Sequence, residues 1–166
     1  MSVLSFFQWC ENSWLGEAIR DSHWLFPVIE SFHLLALAVI GGAVLMLNLR
    51  LFGFGVRSQP PAQLWRDTRP WLLGSWSVML VSGLLLFTSE ATKLYYHEAF
   101  WVKMSSLVMA SLFTFTVLRN VALADVGADA GAGARGVVAW RRRVVALIST
   151  VLWTGVGVGG RWIGFS

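Results

Sequence analysis

Apolar residues in this chain neither alternate nor recur on one helical stripe; they run on. Four predominantly apolar stretches, about residues 27–54, 70–88, 99–118 and 144–165, each reach the roughly 20-residue length that a helix needs to cross a bilayer core. Charges, prolines or both bound every stretch. Pro27 and Pro70 are expected in first turns, where the missing N–H has no helical partner. Ahead of the first stretch the pattern changes. Phe6, Phe7, Trp9, Trp14, Leu15 and Ile19 are interleaved with Glu11, Glu17, Arg20 and Asp21, which predicts a short amphipathic helix over 2–21 lying on the membrane surface. Residues 124–136 are small and of low complexity, and read as a flexible loop. The expected fold is all-α: a single membrane domain over 1–166, an integral membrane four-helix bundle with an interfacial helix at its N-terminus.

Charge sets the expected orientation. Nine of the thirteen basic residues lie beside the first and third connections: Arg50, Arg57, Arg66 and Arg69, then Arg119, Arg135, Arg141, Arg142 and Arg143. By the positive-inside rule these loops face the cytoplasm and both termini lie outside, periplasmic in a bacterial inner membrane. The net charge of +4 does not indicate nucleic acid, because the basic residues punctuate apolar runs instead of lining a polar face. With 56% hydrophobic and 13% charged residues, the chain is far from the roughly 25% charged composition of soluble domains. A lone Cys10 excludes an intrachain disulfide, no Cys/His spacing suggests zinc, and the N-terminus lacks the basic opening and cleavage site of a signal peptide.

Most of the ten tryptophans fall near predicted span ends, where amphipathic rings suit the headgroup region; Trp76 and Trp153 lie deeper and are expected between helices. Gly155 and Gly159 give the fourth span a small-residue face for close helix approach, within the chain or in a homo-oligomer.

Ionisable groups inside hydrocarbon are costly and therefore informative. His33 precedes Arg50 by 17 residues and Lys103 precedes Arg119 by 16, so both lie roughly 24–25 Å of helix from the cytoplasmic arginines, in the outer leaflet. Glu30, one turn above His33, and Arg161 of the fourth span come to about that level, and His97 and His23 open the approaches to the third and first spans. The inner half is nearly bare apart from Asn48 and scattered Ser and Thr, which argues against a polar pathway crossing the whole membrane. Each group also has a plain structural reading. His33 can bond Glu30, Ser82 or a backbone carbonyl; Lys103 can snorkel past Trp101; Arg161 can pair with Glu30 or Glu90; His97 and His23 can be interfacial; and Met46, Met79, Met104 and Met109 can simply pack.

The first span, with His33-Leu-Leu-Ala at its opening and Asn48-Leu-Arg-Leu-Phe-Gly53 at its exit, resembles an uncharacterised bacterial family of four-span membrane proteins. Pro70-Trp71, Ser82-Gly83-Leu-Leu-Leu-Phe87 and the stretch from Tyr95 to Lys103 extend the likeness over roughly residues 13 to 120, with Asn48 where an aspartate is usual. More distantly, the histidine-to-arginine span and the third-span lysine are similar to CopD-type copper-resistance membrane domains and HemJ-type protoporphyrinogen oxidases. By that similarity His33 would be the axial ligand of haem b, Lys103 a neighbour of the cofactor or its propionates, and Arg50 the arginine of the span's inner end. The histidine that HemJ-type proteins carry after the third-span lysine is absent, so their oxidase activity is not implied.

Three functions follow as expectations. The first is haem b near the outer face, carrying electrons between quinol and a periplasmic partner. Its site would comprise His33, Glu30 holding the second ring nitrogen, Lys103 and Arg161 toward the propionates, and His97, then Met104 or an open position, as second ligand. The second is copper handling by His33, His97, His23 and a methionine. The third is an accessory subunit with no cofactor at all. No hydrolase triad, phosphate loop or paired catalytic carboxylates appear in the sequence.

Overall fold

The computed structural model describes residues 2–55, 58–124 and 132–163. Among these residues every regular element is helical. Helices α1 (Val3–Glu11) and α2 (Trp14–Asp21) come first, then the long α3 (Leu25–Phe52) and α4 (Pro61–Ser89), the short α5 (Ala91–Tyr95), α6 (Glu98–Phe113), a π-helical turn (Thr114–Leu118), α7 (Arg119–Leu123) and α8 (Ala132–Ile163). Four of the resulting helical runs, 25–52, 61–89, 98–123 and 136–162, are long and apolar enough to cross a membrane.

The amphipathic stretch is two helices, not one. Ser13 interrupts it: its hydroxyl accepts from the Gly16 N–H and donates to the Cys10 carbonyl, so the residue that ends α1 also caps α2. The second long helix begins well before Pro70. Pro60 and Pro61 start it, and Leu64, Trp65 and Thr68 are buried on one side of the added turns. Burial of that i, i+1, i+4 stripe carries the helix through Pro70, which therefore sits in the interior of α4 and not in its first turn. The loop read over 124–136 falls largely outside the described residues, and α8 is already helical from Ala132.

Gly53 stops α3 with a left-handed backbone (φ 95°), and the Phe54 N–H returns 2.8 Å to the Leu49 carbonyl. Arg50 Nε then donates to Gln59 O at 2.7 Å and closes the turn into α4. In the bundle α3 lies along both α4 and α8, and α8 lies along α6. The glycine face of α8 is used within the chain: a Cβ at Gly155 would meet Ser106 Oγ at 3.0 Å, and one at Gly159 the Lys103 backbone at 3.3 Å. By contrast α4 and α6 make almost no close backbone approach; α4 meets the third run through α7, beside the arginine-rich end. Ile40, Val44, Leu47, Leu72 and Leu118 fill the core. A belt including Leu35, Val81, Leu84, Leu112 and Val151 stays exposed, as on a surface solvated by lipid tails.

Candidate functional site

The separation of α4 from α6 is bridged by side chains at two levels. Toward the arginine-rich end, Trp76 Nε1 donates to Ser111 Oγ at 3.1 Å and the indole meets Phe115 edge-on. One run further, the Trp153 indole donates to Thr114 in the π-helical turn at 3.0 Å, a point where that turn re-aims the helix toward α8. At the arginine-poor end, Phe87 of α4 stacks on Phe100 of α6 with centroids 6.1 Å apart. Phe7 from α1 packs edge-on against this pair, 4.9 Å from Phe87 and 6.2 Å from Phe100, and also meets Tyr95 at 5.3 Å.

His33 and Lys103 lie between those two closures. Phe87 is one turn beyond Gly83, and Phe100 is nearly one turn beyond Lys103, toward the same end. His33 is buried and its ring packs on α4; a Cβ at Gly83 would stand 3.2 Å from His33 Cε1. Nδ1 lies 3.0 Å from Ser82 Oγ. The Ser82 hydroxyl has one proton, which goes to the Val78 carbonyl at 2.6 Å, so Ser82 accepts and Nδ1 carries the ring proton. The Met79 carbonyl lies beside the same ring. In this tautomer Nε2 holds a lone pair.

Lys103 is half-buried and within Coulombic reach of His33. Its stem lies on Gly159 and Gly160, with Nζ 3.6 Å from where a Gly160 Cβ would be. Among the described residues it makes neither an ion pair nor a hydrogen bond.

The other predicted residues lie on the bundle's surface or at helix ends. Glu30 is exposed on α3, and the imidazole partner is Ser82 in its place. His97 caps α6 and lines a groove between α6 and α8; Arg161 is exposed near the end of α8; Met104 is exposed on α6; and His23 is exposed just before α3. Among the described residues no three His, Cys, Asp or Glu side chains come together as a metal-binding group. The sequence reading missed the closing aromatics and the seats that Gly83 gives His33 and Gly159 gives Lys103. A Ser-Gly pair inside the apolar run of α4, opposite a lone histidine, was the available signal.

A latch holds the Phe7 closure down. A Cβ on Gly16 would lie 2.5 Å from the Thr88 carbonyl oxygen, so α2 rests backbone against backbone on the end of α4. Arg20 Nη1 donates to the Glu11 and Ser89 carbonyls at 3.0 and 3.1 Å. The Glu11 carboxylate accepts the Thr92 N–H at the start of α5. Burial alone would raise the Glu11 carboxyl, but the side-chain and backbone hydrogen bonds from Thr92 and the Arg20 charge outweigh it and hold the group below its ordinary value.

Over residues 6–166 the chain matches a family of unknown function, DUF6644, and belongs to it. No curated protein and no solved structure matches it.

Proposed function

We propose that this member of a family of unknown function is a bacterial inner-membrane protein, both termini outside, that holds haem b in its outer leaflet and passes electrons between quinol and a periplasmic redox partner. The observation that carries the reading is the His33 imidazole: buried, held by Ser82 in the tautomer that leaves Nε2 a lone pair, and beside an ammonium that has no counter-charge among the described residues. That donor set fits the group. A neutral imidazole is a good iron ligand when its other nitrogen is hydrogen-bonded, and Ser82 supplies that bond. Lys103 can neutralise a propionate, which also removes the cost of an unpaired charge at that depth. Phe7, Phe87 and Phe100 exclude water above, and Trp76 closes the layer below. Bound haem would supply reversible one-electron chemistry. The distant likeness of the first span to HemJ-type proteins and the clustering of arginines at the opposite end support the cofactor and the orientation.

The test is an optical spectrum of the detergent-purified protein, oxidised and reduced, after expression with haem supplied. A Soret band that shifts on reduction, and is lost in His33→Ala, is the expected result. A colourless parent protein overturns the reading and leaves an accessory subunit whose polar layer only locks helices. Copper without a porphyrin band selects metal handling, which would need ligands beyond the histidines that the fold keeps apart.

A further inference from the structure

On the other flank of the α6–α8 seam, near the arginine-poor end, lies a groove of about 500 Å³, within the range of small-molecule sites. Phe100 faces α4 while Val102, two residues on and therefore about 160° around the helix, faces the groove. The seam between groove and His33 layer is one residue thick at Gly159, which lines the groove and packs against Lys103.

The chemistry of the lining is divided by depth. Val102 and Val158 form apolar walls, both more than half exposed in the bundle surface. Tyr96, His97, Glu98 and Trp162 gather at the rim, where the helices reach the headgroup level. We propose that this groove binds the ring of an isoprenoid quinol, its tail running down the valine walls into the bilayer. Charge disfavours an anionic phospholipid: Glu98 carries the one formal charge of the lining, and a carboxylate repels a net-negative headgroup but accepts a hydroxyl. A zwitterionic phospholipid is the competitor present throughout the test below. A quinol is neutral, presents two hydroxyls that the rim can bond through carboxylate, imidazole and phenol, and stacks against an indole edge. The choice of a quinol over another neutral ring rests on the redox reading above, whereas occupancy of the groove can be tested apart from it.

The test uses the full-length protein in phosphatidylcholine nanodiscs with a short-tailed azido-ubiquinone, photolysed and mapped by mass spectrometry. Label is expected in the peptides covering 96–102 and 155–162, displaced by excess decyl-ubiquinone, and lowered at least tenfold by Val158→Trp, which fills the groove from an exposed position. Val102→Phe repeats the block from the facing wall should the first variant fold poorly. Label spread evenly over the exposed apolar faces, or label on these peptides indifferent to both variants, overturns the site. A colourless protein that still labels in the groove defeats only the haem reading; a coloured one that does not label there defeats only this one.

Discussion

Gly16 is where a single methyl group has the largest mechanical consequence. Its Cβ direction points at the Thr88 oxygen 2.5 Å away and the Glu11 oxygen 2.7 Å away, both backbone atoms that cannot swing aside. In Gly16→Ala, α2 must withdraw from α4 by about half an ångström to restore contact at 3.0 Å, and overpacking of this kind costs about 1–3 kcal/mol. Alanine's better helix propensity favours α2 docked and undocked alike and so offsets none of this. The loosening of the α1–α2 cap is therefore about 1–3 kcal/mol, an increase of about 5–150-fold in the undocked fraction. Cys10 reports it directly. It is the one cysteine of the chain, it is buried under the same cap, and burial pushes its thiol up, so the docked form is both shielded and poorly ionised. Maleimide labelling at fixed pH should accelerate about 5–150-fold in Gly16→Ala. Gly157→Ala, with nothing within 4 Å of the new methyl, should label at the parent rate. Equal rates for parent and Gly16→Ala, with helicity unchanged, would refute the backbone contact and the docked cap with it.

Two further outcomes follow from named hydrogen bonds. Ser82→Ala removes the acceptor that fixes the His33 tautomer; leaving that buried N–H without it should cost about 1–3 kcal/mol in thermal unfolding and, in haem-loaded protein, move the reduced Soret position. Because the folded Glu11 carboxyl lies below its ordinary value of 4.5, its contribution is complete above the unfolded carboxylate range and is lost as pH falls through the lower folded value. Hydrogen exchange at the Thr92 amide, corrected for intrinsic rate, should therefore lose protection on acidification below that range, and Glu11→Gln should abolish most of this dependence.

The four long helices were legible because hydrocarbon-length apolar runs have few alternatives, and the end-to-end asymmetry of arginine needs only counting. Helix bounds were less so. Pro70 looked like a start because a proline is cheap there, but the Leu64, Trp65 and Thr68 stripe, invisible as a hydropathy run, extends α4 past it. The shared depth of His33 and Lys103 could be counted along the helices. Ser82 could be named only as one of three partners for His33, because which face of a uniformly apolar helix turns inward depends on small-residue contacts such as Gly83 under His33 and Gly159 under Lys103. Glu30 illustrates the limit: one turn from His33 in sequence, it still lies on an exposed flank.

Lys103 separates a site from mere packing. The other polar groups at that end are employed by the fold: Ser82 holds His33, Arg20 holds Ser89, Glu11 holds Thr92, and the Trp101 indole donates to the Tyr95 carbonyl. Lys103 has no such partner among the described residues, yet its stem packs over Gly159 and Gly160, where α8 carries no side chains. A group kept only for stability should be missed when removed. Lys103→Met retains the stem's volume and deletes an uncompensated charge, so the protein without cofactor should gain about 1–3 kcal/mol, less wherever the ammonium reaches interfacial water. The same substitution should weaken retention of an acidic amphiphile such as haem, read as pigment lost on dilution. A variant both less stable and equally retentive would show that the ammonium serves the bundle and not a ligand.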